Sequence, residues 1–200
     1  GLSFAFEHED DRATSHCEFT VTHLGSGRQV SVEAKRSETG RVNRKIVRAL
    51  NKSADHSRIV FVDLNMPDSS TGEEVPAYMH RAFALLRRFE ALDPQAQRLP
   101  PAYIFFTNAS WEHHLDSFNW RGLALGDGFH INDFKIDQEF NSLRAAIDAR
   151  EAHREMHELL KSIRTHSTMP ITFDGQRPEF AFGKAEARLT VGCRYTFAGP

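Results

Sequence analysis

The chain has 200 residues and a formal net charge of −2, which excludes a polycation that binds nucleic acid over its whole surface. Its 40% hydrophobic and 26% charged residues are typical of a soluble globular protein, and no apolar run reaches the roughly 20 residues of a membrane span. Two cysteines, Cys17 and Cys193, are too few for a disulfide framework and favour the reducing cytoplasm.

Alternation and helical spacing predict most of the secondary structure. In residues 16–23 and 29–36, apolar and polar side chains alternate, as in strands with one apolar face. Residues 41–52 carry apolar side chains at helical spacing, and the runs 58–64 and 102–107 are typical of buried strands. The predicted elements in chain order are strands at 2–8, 16–23 and 29–36, a helix at 41–52, a strand at 58–64, a helix at 73–92, a strand at 102–107, an aromatic and glycine-rich stretch without a clear period at 111–130, a long helix or helix pair at 137–165, and strand-like stretches at 171–173 and 189–197.

This order predicts an α/β protein in which an antiparallel N-terminal hairpin leads into a mixed β-sheet flanked by helices. We expect a single domain over residues 1–200, with its core at about residues 2–110 and helical and short β additions at 111–200. The chain opens in a predicted strand and ends shortly after another, which is compatible with a piece of a longer protein.

The register of the predicted hairpin follows from its turn and from the alternation. A two-residue type II′ turn at residues 25–26 makes the numbers of paired residues sum to 51. A slip by one residue would set apolar side chains against polar ones, so the alternation supports this register or one shifted by two. The predicted pairs are Leu24 with Gly27, Val21 with Val30, Thr20 with Ser31, Phe19 with Val32, Glu18 with Glu33 and His16 with Lys35.

This register brings the carboxylates of Glu18 and Glu33 together. Opposed side chains of a hairpin have Cβ atoms about 5 Å apart, where two like charges destabilise the sheet unless a cation offsets them. Mg²⁺ or Mn²⁺ is the expected cofactor, because Mg²⁺ takes carboxylate oxygens, water and substrate phosphate as ligands. Lys35 projects from the same face as Glu33, where it can hold an attacking water or balance charge on a phosphoryl oxygen. The alternative is a solvated polar face on which Lys35 screens two glutamates.

An acid at the start of one strand, Glu18, and the tetrapeptide VEAK at the end of the next, residues 32–35, precede a helix and a buried strand. This pattern resembles the PD-(D/E)XK nuclease superfamily, the restriction-endonuclease-like enzymes. The resemblance implies an αβββαβ core and Mg²⁺-dependent phosphodiester hydrolysis. By this resemblance Glu18, Glu33 and the Ala34 carbonyl are metal ligands, and Lys35 orients or activates the hydrolytic water.

The resemblance covers residues 2–64, about a third of the chain, and departs from the family at two points. Glu18 follows Cys17 where the family often has Pro-Asp, and the helix that normally precedes the first strand is missing from this sequence. If Glu18 is not the first acid, Asp10 or Asp11 in the preceding loop takes its place.

A basic segment follows the candidate site. Residues 35–58 contain eight lysines and arginines against two acids, and several of the basic residues form a stripe on the predicted helix, which Lys52 ends. Such a patch binds phosphate backbones with little sequence information, and an ordinary solvated helix face is the alternative. The residues predicted to bind nucleic acid are Arg36, Arg41, Arg44, Lys45 and Arg48.

Two hypotheses of function follow. The first is an Mg²⁺- or Mn²⁺-dependent endonuclease that hydrolyses phosphodiester bonds, of DNA in preference to RNA. The second is a non-catalytic nucleic-acid- or protein-binding module of the same fold within a larger protein. A homodimer and further domains of a longer chain are compatible with both. Residues 62–68 also resemble the phospho-acceptor segment of receiver domains, which we reject because the hairpin interrupts the β-α-β order of that fold.

Overall fold

A computed structural model describes residues 2–6, 16–37, 41–66, 75–108 and 123–165 of the chain. Their strands form one six-stranded sheet, in which the strands lie side by side in chain order. The strands are β1 (Leu2–Phe6), β2 (Phe19–His23), β3 (Gln29–Arg36), β4 (Ser57–Asp63), β5 (Ala102–Asn108) and β6 (Leu123–Phe129). The helices are α1 (Val42–Leu50), α2 (Ala77–Leu92), α3 (Leu143–Ala152) and α4 (Arg154–Thr165), with a short 3₁₀ turn at Ala96–Arg98.

The sheet is mixed, which confirms the predicted fold class. β1, β2 and β3 pair antiparallel, β3, β4 and β5 pair parallel, and β6 returns antiparallel to β5. Parallel neighbours need a crossover connection, and α1 and α2 lie in the two connections that this sheet requires. The carboxyl ends of β3, β4 and β5 therefore lie at one edge of the sheet.

Helices pack on both faces of the sheet. Val60 and Ile104 belong to a core formed with α1 and α2. Alternate residues of the same strands, such as Ile59 and Phe105, pack on the opposite face with Met156 and Leu160 of α4. Because both faces are covered, β4 and β5 are almost continuously apolar, as their sequences predict.

The observed pairs of β2 and β3 confirm the predicted register and exclude one shifted by two. Val21 pairs with Val30, and Phe19 pairs with Val32. The predicted two-residue turn is wrong, because the turn spans residues 24–27: the Gly27 amide donates to the His23 carbonyl at 2.7 Å. Gly27 has φ of +70°, which suits a residue without a Cβ. The longer turn leaves the pairing sum unchanged, so the side chains keep their faces.

The second half of the chain differs from expectation at two places. Residues 123–129, which show no clear period, form β6, so the sheet continues beyond the core predicted to end near residue 110. A side chain at residue 128 would collide with the chain, since a Cβ there would lie 2.6 Å from the Ile131 carbonyl oxygen. The glycine that this contact requires interrupts the alternation that would otherwise predict a strand. The predicted long helix is a helix pair, α3 and α4. The strand-like stretches at 171–173 and 189–197 lie outside the described residues.

Among the described helices, none combines the length and the apolar composition that crossing a membrane requires.

Candidate active site

Glu33 is a buried acid on the face of β3 that α1 and α2 cover. Its exposed fraction is 1%, and Ser31 on the same face is also buried. The alternative of a solvated polar face is therefore wrong for Glu33. A buried ionised carboxylate is costly unless cations and hydrogen bonds compensate it, so its partners decide what this site can do.

Two ammonium groups contact the Glu33 carboxylate. Lys35, which follows on the same face of β3, contacts Oε1. Lys52 lies 2.7 Å from Oε1 and 2.9 Å from Oε2. Helical spacing predicts Lys52 at the end of the phosphate-binding stripe, but the packing of α1 on β3 and β4 turns its side chain inward. In the sequence, Lys52 is recognisable only as the last basic residue of the predicted helix. That position does not predict Glu33 as its partner.

Glu18 reaches the same place from the beginning of β2. Its amide donates to the Val32 carbonyl at 3.0 Å, so the backbone shifts by one residue from the predicted pairing with Glu33. Its carboxylate accepts a hydrogen bond from the Ala34 amide at 3.2 Å and lies 3.5 Å from the Lys35 ammonium. The Glu18 side chain is 40% exposed, whereas that of Glu33 is buried. Both carboxylates thus converge on one cation, Lys35.

The oxygen donors at this place fit a hard divalent cation. The Glu18 carboxylate accepts the Ala34 hydrogen bond that a neighbouring strand would otherwise accept. Because the amide and the carbonyl of a strand residue point to the same side, the Ala34 carbonyl also faces the side on which Glu18 lies. Oε1 of Glu33 is buried, and its contacts within the described residues are the ammonium groups of Lys35 and Lys52, so a metal ion at this oxygen would replace an ammonium contact. Two carboxylates and a carbonyl are ligands that Mg²⁺ and Mn²⁺ accept.

A third acidic ligand is absent from the described part of the chain. No group of three or more histidine, cysteine, aspartate or glutamate side chains arranged for a metal occurs within residues 2–6, 16–37, 41–66, 75–108 and 123–165. Asp10 and Asp11, the alternatives to Glu18, lie outside the described residues.

The register predicts His16 opposite Lys35, but His16 lies elsewhere. It forms a parallel β-bridge with Ser53, and its Nδ1 lies 3.0 Å from the Cys17 carbonyl oxygen. The prediction is wrong because the chain leaves the hairpin register at Glu18. The bridge has a consequence for the site: it joins the segment that carries Glu18 to the segment that carries Lys52.

The basic helix α1 presents its charges to solvent. Val42, Ile46, Ala49 and Leu50 are its buried residues, so the predicted amphipathic helix is confirmed. Arg41, Arg44 and Arg48 are exposed, and Lys45 is half-buried. No acidic residue in the described ranges pairs with these four side chains, which leaves their charges available for another anion.

Arg36 lies apart from this group. It alternates with Glu33 and Lys35 along β3 and therefore points to the opposite face of the sheet. There its Nε lies 3.6 Å from Asp63, and Asp63 also accepts a hydrogen bond from Thr107 at 3.4 Å. Arg36, Asp63 and Thr107 thus mark the carboxyl ends of three parallel strands, and an internal acid already neutralises the arginine.

Comparison of the chain with family models, with curated proteins and with solved structures gives no match in any of the three.

Proposed function

We propose that the chain is a nuclease that uses Mg²⁺ or Mn²⁺ to hydrolyse phosphodiester bonds, DNA in preference to RNA. The observation that supports the proposal most is the convergence of Glu18 and Glu33 on one ammonium at the end of β3. The pattern that resembles the PD-(D/E)XK superfamily requires two acids and a lysine at one place. The β-β-β-α-β order of residues 2–63 agrees with the part of the implied core that follows its first helix.

In this proposal Glu33, Glu18 and the Ala34 carbonyl hold the metal. When bound, the metal supplies Lewis-acid polarisation of a phosphoryl oxygen and lowers the pKa of a bound water. Burial holds Glu33 in one position, so the ligand needs little reorganisation when substrate binds. The Lys35 ammonium orients the attacking water or stabilises the charge that develops on the phosphoryl oxygens.

The exposed arginines of α1 bind the phosphate backbone in this proposal. Arg41, Arg44 and Arg48 carry charges without a described acidic partner, and α1 packs directly on the strands that carry the site. Contacts of this kind position a nucleic acid and contribute affinity without reading sequence.

A second candidate function is a non-catalytic binding module of the same fold. It is favoured by the charge balance of the cluster, in which two lysines, Lys35 and Lys52, neutralise two glutamates, Glu18 and Glu33. Such a balanced cluster can serve to hold α1 against β3 without any reaction.

The test compares cleavage by three forms of the full chain, the wild type, Glu33→Gln and Lys35→Met, on single- and double-stranded DNA and RNA. We expect the wild type to cleave in Mg²⁺ or Mn²⁺ and to lose cleavage with a chelator. Each substitution should lower the rate by about 100-fold or more, the usual effect of removing a group that stabilises developing charge.

Glu155→Gln is the matched control for Glu33→Gln. Glu155 is also a largely buried acid with a cationic partner, Arg28, but it lies on α4, on the other face of the sheet. We expect it to leave the cleavage rate unchanged. Absence of metal-dependent cleavage by the wild type on every substrate, with DNA or RNA binding retained, would favour the binding module.

A further inference from the structure

Lys35 and Lys52 hold the Glu33 carboxylate in different ways. Lys52 contacts both oxygens of Glu33 and has no other acidic partner in the described ranges. Lys35 contacts one oxygen of Glu33 and is shared with Glu18. One lysine is therefore a dedicated counter-ion of the buried acid, and the other bridges two acids.

The charge count of the cluster makes Lys35 the exchangeable cation. Glu33 needs one positive charge to compensate its burial, and Lys52 supplies it. The second acid that Lys35 contacts, Glu18, is 40% exposed and can be solvated by water. Moving the Lys35 ammonium away therefore leaves no buried charge without a partner, whereas moving Lys52 removes the counter-ion that belongs to Glu33 alone.

Hydrogen bonds satisfy backbone groups at the end of α1, beside Lys52. The Lys52 amide donates to the Ala49 carbonyl at 3.3 Å, and Arg58 donates to the Leu50 carbonyl at 2.5 Å, which satisfies the end of α1. The next residue, Ser53, forms the bridge with His16. The Lys35 backbone is held as well, by pairing with Val62 of β4. The two lysines therefore differ in the acids that their ammonium groups contact and not in how their backbones are held.

We propose that the Lys35 ammonium occupies the position of the divalent cation between Glu18 and Glu33, and that the two cations bind there alternately. Lys52 stays on Glu33 throughout and is a positioning residue. This inference rests on the proposed function for the identity of the metal. It adds that binding of the divalent ion displaces the Lys35 ammonium from its bridging contact, so that Lys35 is released for the substrate only in the metal-bound protein.

The test measures Mn²⁺ affinity, from the electron paramagnetic resonance signal of free Mn²⁺, at fixed pH and ionic strength with the full chain. Lys35→Met should bind Mn²⁺ about tenfold or more tightly than the wild type, because a cation in contact with both ligands is removed. If the methionine variant folds poorly, Lys35→Gln, which keeps a polar side chain, takes its place and should show the same gain in Mn²⁺ affinity. Glu18→Gln should weaken Mn²⁺ binding.

Lys52→Met is the matched control. It removes the same charge from the same carboxylate, and its side-chain exposure of 26% is close to the 21% of Lys35. Under the proposal its effect on Mn²⁺ affinity is clearly smaller than that of Lys35→Met. An equal gain in both variants would show a general electrostatic effect and overturn the proposal, as would an unchanged affinity in Lys35→Met.

The Mn²⁺ affinity test and the cleavage test can fail independently of each other. Tighter Mn²⁺ binding in Lys35→Met with no cleavage by the wild type would support the exchange of cations and reject the nuclease. Metal-dependent cleavage by the wild type together with unchanged Mn²⁺ affinity in Lys35→Met would support the nuclease and reject the exchange.

Discussion

Glu33 and Asp127 are two fully buried acids that the fold compensates differently. They lie at the two ends of one row of residues across the sheet, with Val60 and Ile104 between them. Glu33 has two lysines in contact. Asp127 accepts a hydrogen bond from the Ile136 amide at 3.0 Å and a longer one from Arg87 at 3.4 Å.

The environment of Asp127 makes its ionisation unfavourable. Burial raises the pKa of Asp127 above its ordinary value of 3.8, and the opposing effects of Lys135, the Ile136 amide and Arg87 do not cancel that shift. Arg87 instead lowers the pKa of Asp137, its exposed partner, through a hydrogen bond. The arginine is thus shared between two acids whose pKa values move in opposite directions.

This shift predicts a pH dependence of stability. A folded-state pKa above the unfolded one means that the folded protein binds the proton more tightly, so the contribution of Asp127 is present below pH 3.8 and is lost as the pH rises through the raised pKa. Asp127→Asn removes this titration. The difference in free energy of unfolding between wild type and variant should favour the wild type more at about pH 4 than at about pH 7.

Denaturant titrations of both proteins across this range measure that difference. Asp137→Asn is the control, because the pKa of Asp137 is lowered. The contribution of Asp137 to stability is therefore lost as the pH falls, the opposite of the pH dependence expected for Asp127. A stability difference between wild type and Asp127→Asn that does not change with pH would contradict the raised pKa of Asp127.

At the scale of elements, α1 serves the core and the candidate site with different faces. Its apolar residues pack against β3, β4 and α2, and its end delivers Lys52 to Glu33. The remaining face carries exposed arginines. Because these arginines do not take part in the core, their charge can be changed without the cost of repacking.

The double substitution Arg44→Glu and Arg48→Glu tests the nucleic-acid face of α1. We expect it to change the free energy of unfolding by no more than about 1 kcal/mol, since both side chains are exposed. Affinity for DNA should fall, and the dependence of binding on salt should weaken by about one unit of slope for each phosphate that the variant leaves unneutralised. Fluorescence anisotropy at several salt concentrations measures both quantities.

Arg150→Glu, compared with Arg48→Glu alone, provides a control of equal charge change, since Arg150 is an exposed arginine on α3 without an acidic partner in the described ranges. An equal loss of affinity in this control would indicate that binding depends on overall charge and not on α1.

At the scale of the whole molecule, one sheet joins two helical layers. Ile46 of α1 and Leu160 of α4 lie in the cores on opposite faces, and adjacent residues of β4 and β5 contribute to both cores. A loss of packing on one face therefore weakens strands on which the other face depends, and we expect the two layers to unfold together.

Ile46→Ala and Leu160→Ala test this coupling. Each should lower the free energy of unfolding by about 2–5 kcal/mol, the usual cost of a large-to-small change in a core. Far-ultraviolet and near-ultraviolet circular dichroism should report coincident transitions in both variants. Transitions that separate in Leu160→Ala alone would show that the α4 layer is an independent unit.

Particular residues show how far local patterns predict this fold. Alternation in β2 and β3 restricts the register to the observed one or one shifted by two, because a one-residue slip would expose every apolar side chain of the hairpin. The turn length, β6 and the inward position of Lys52 are not predictable in the same way. They depend on a backbone bond at Gly27, on the close approach of Ile131 to Gly128 and on the packing of α1.

The sequence by itself determined the mixed sheet, the inward and outward faces of the hairpin strands and the amphipathic helix α1, since periodicity decides which side chains lie together along one element. Only the tertiary structure decided the partners of Glu33: Lys35 was its expected neighbour, but Lys52 reaches it through helix packing and Glu18 through a backbone shift. Contacts between distant segments depend on how elements dock, and local patterns do not specify them. Glu33 and Lys35 of β3 thus belong to a cluster of four charges assembled from three parts of the chain.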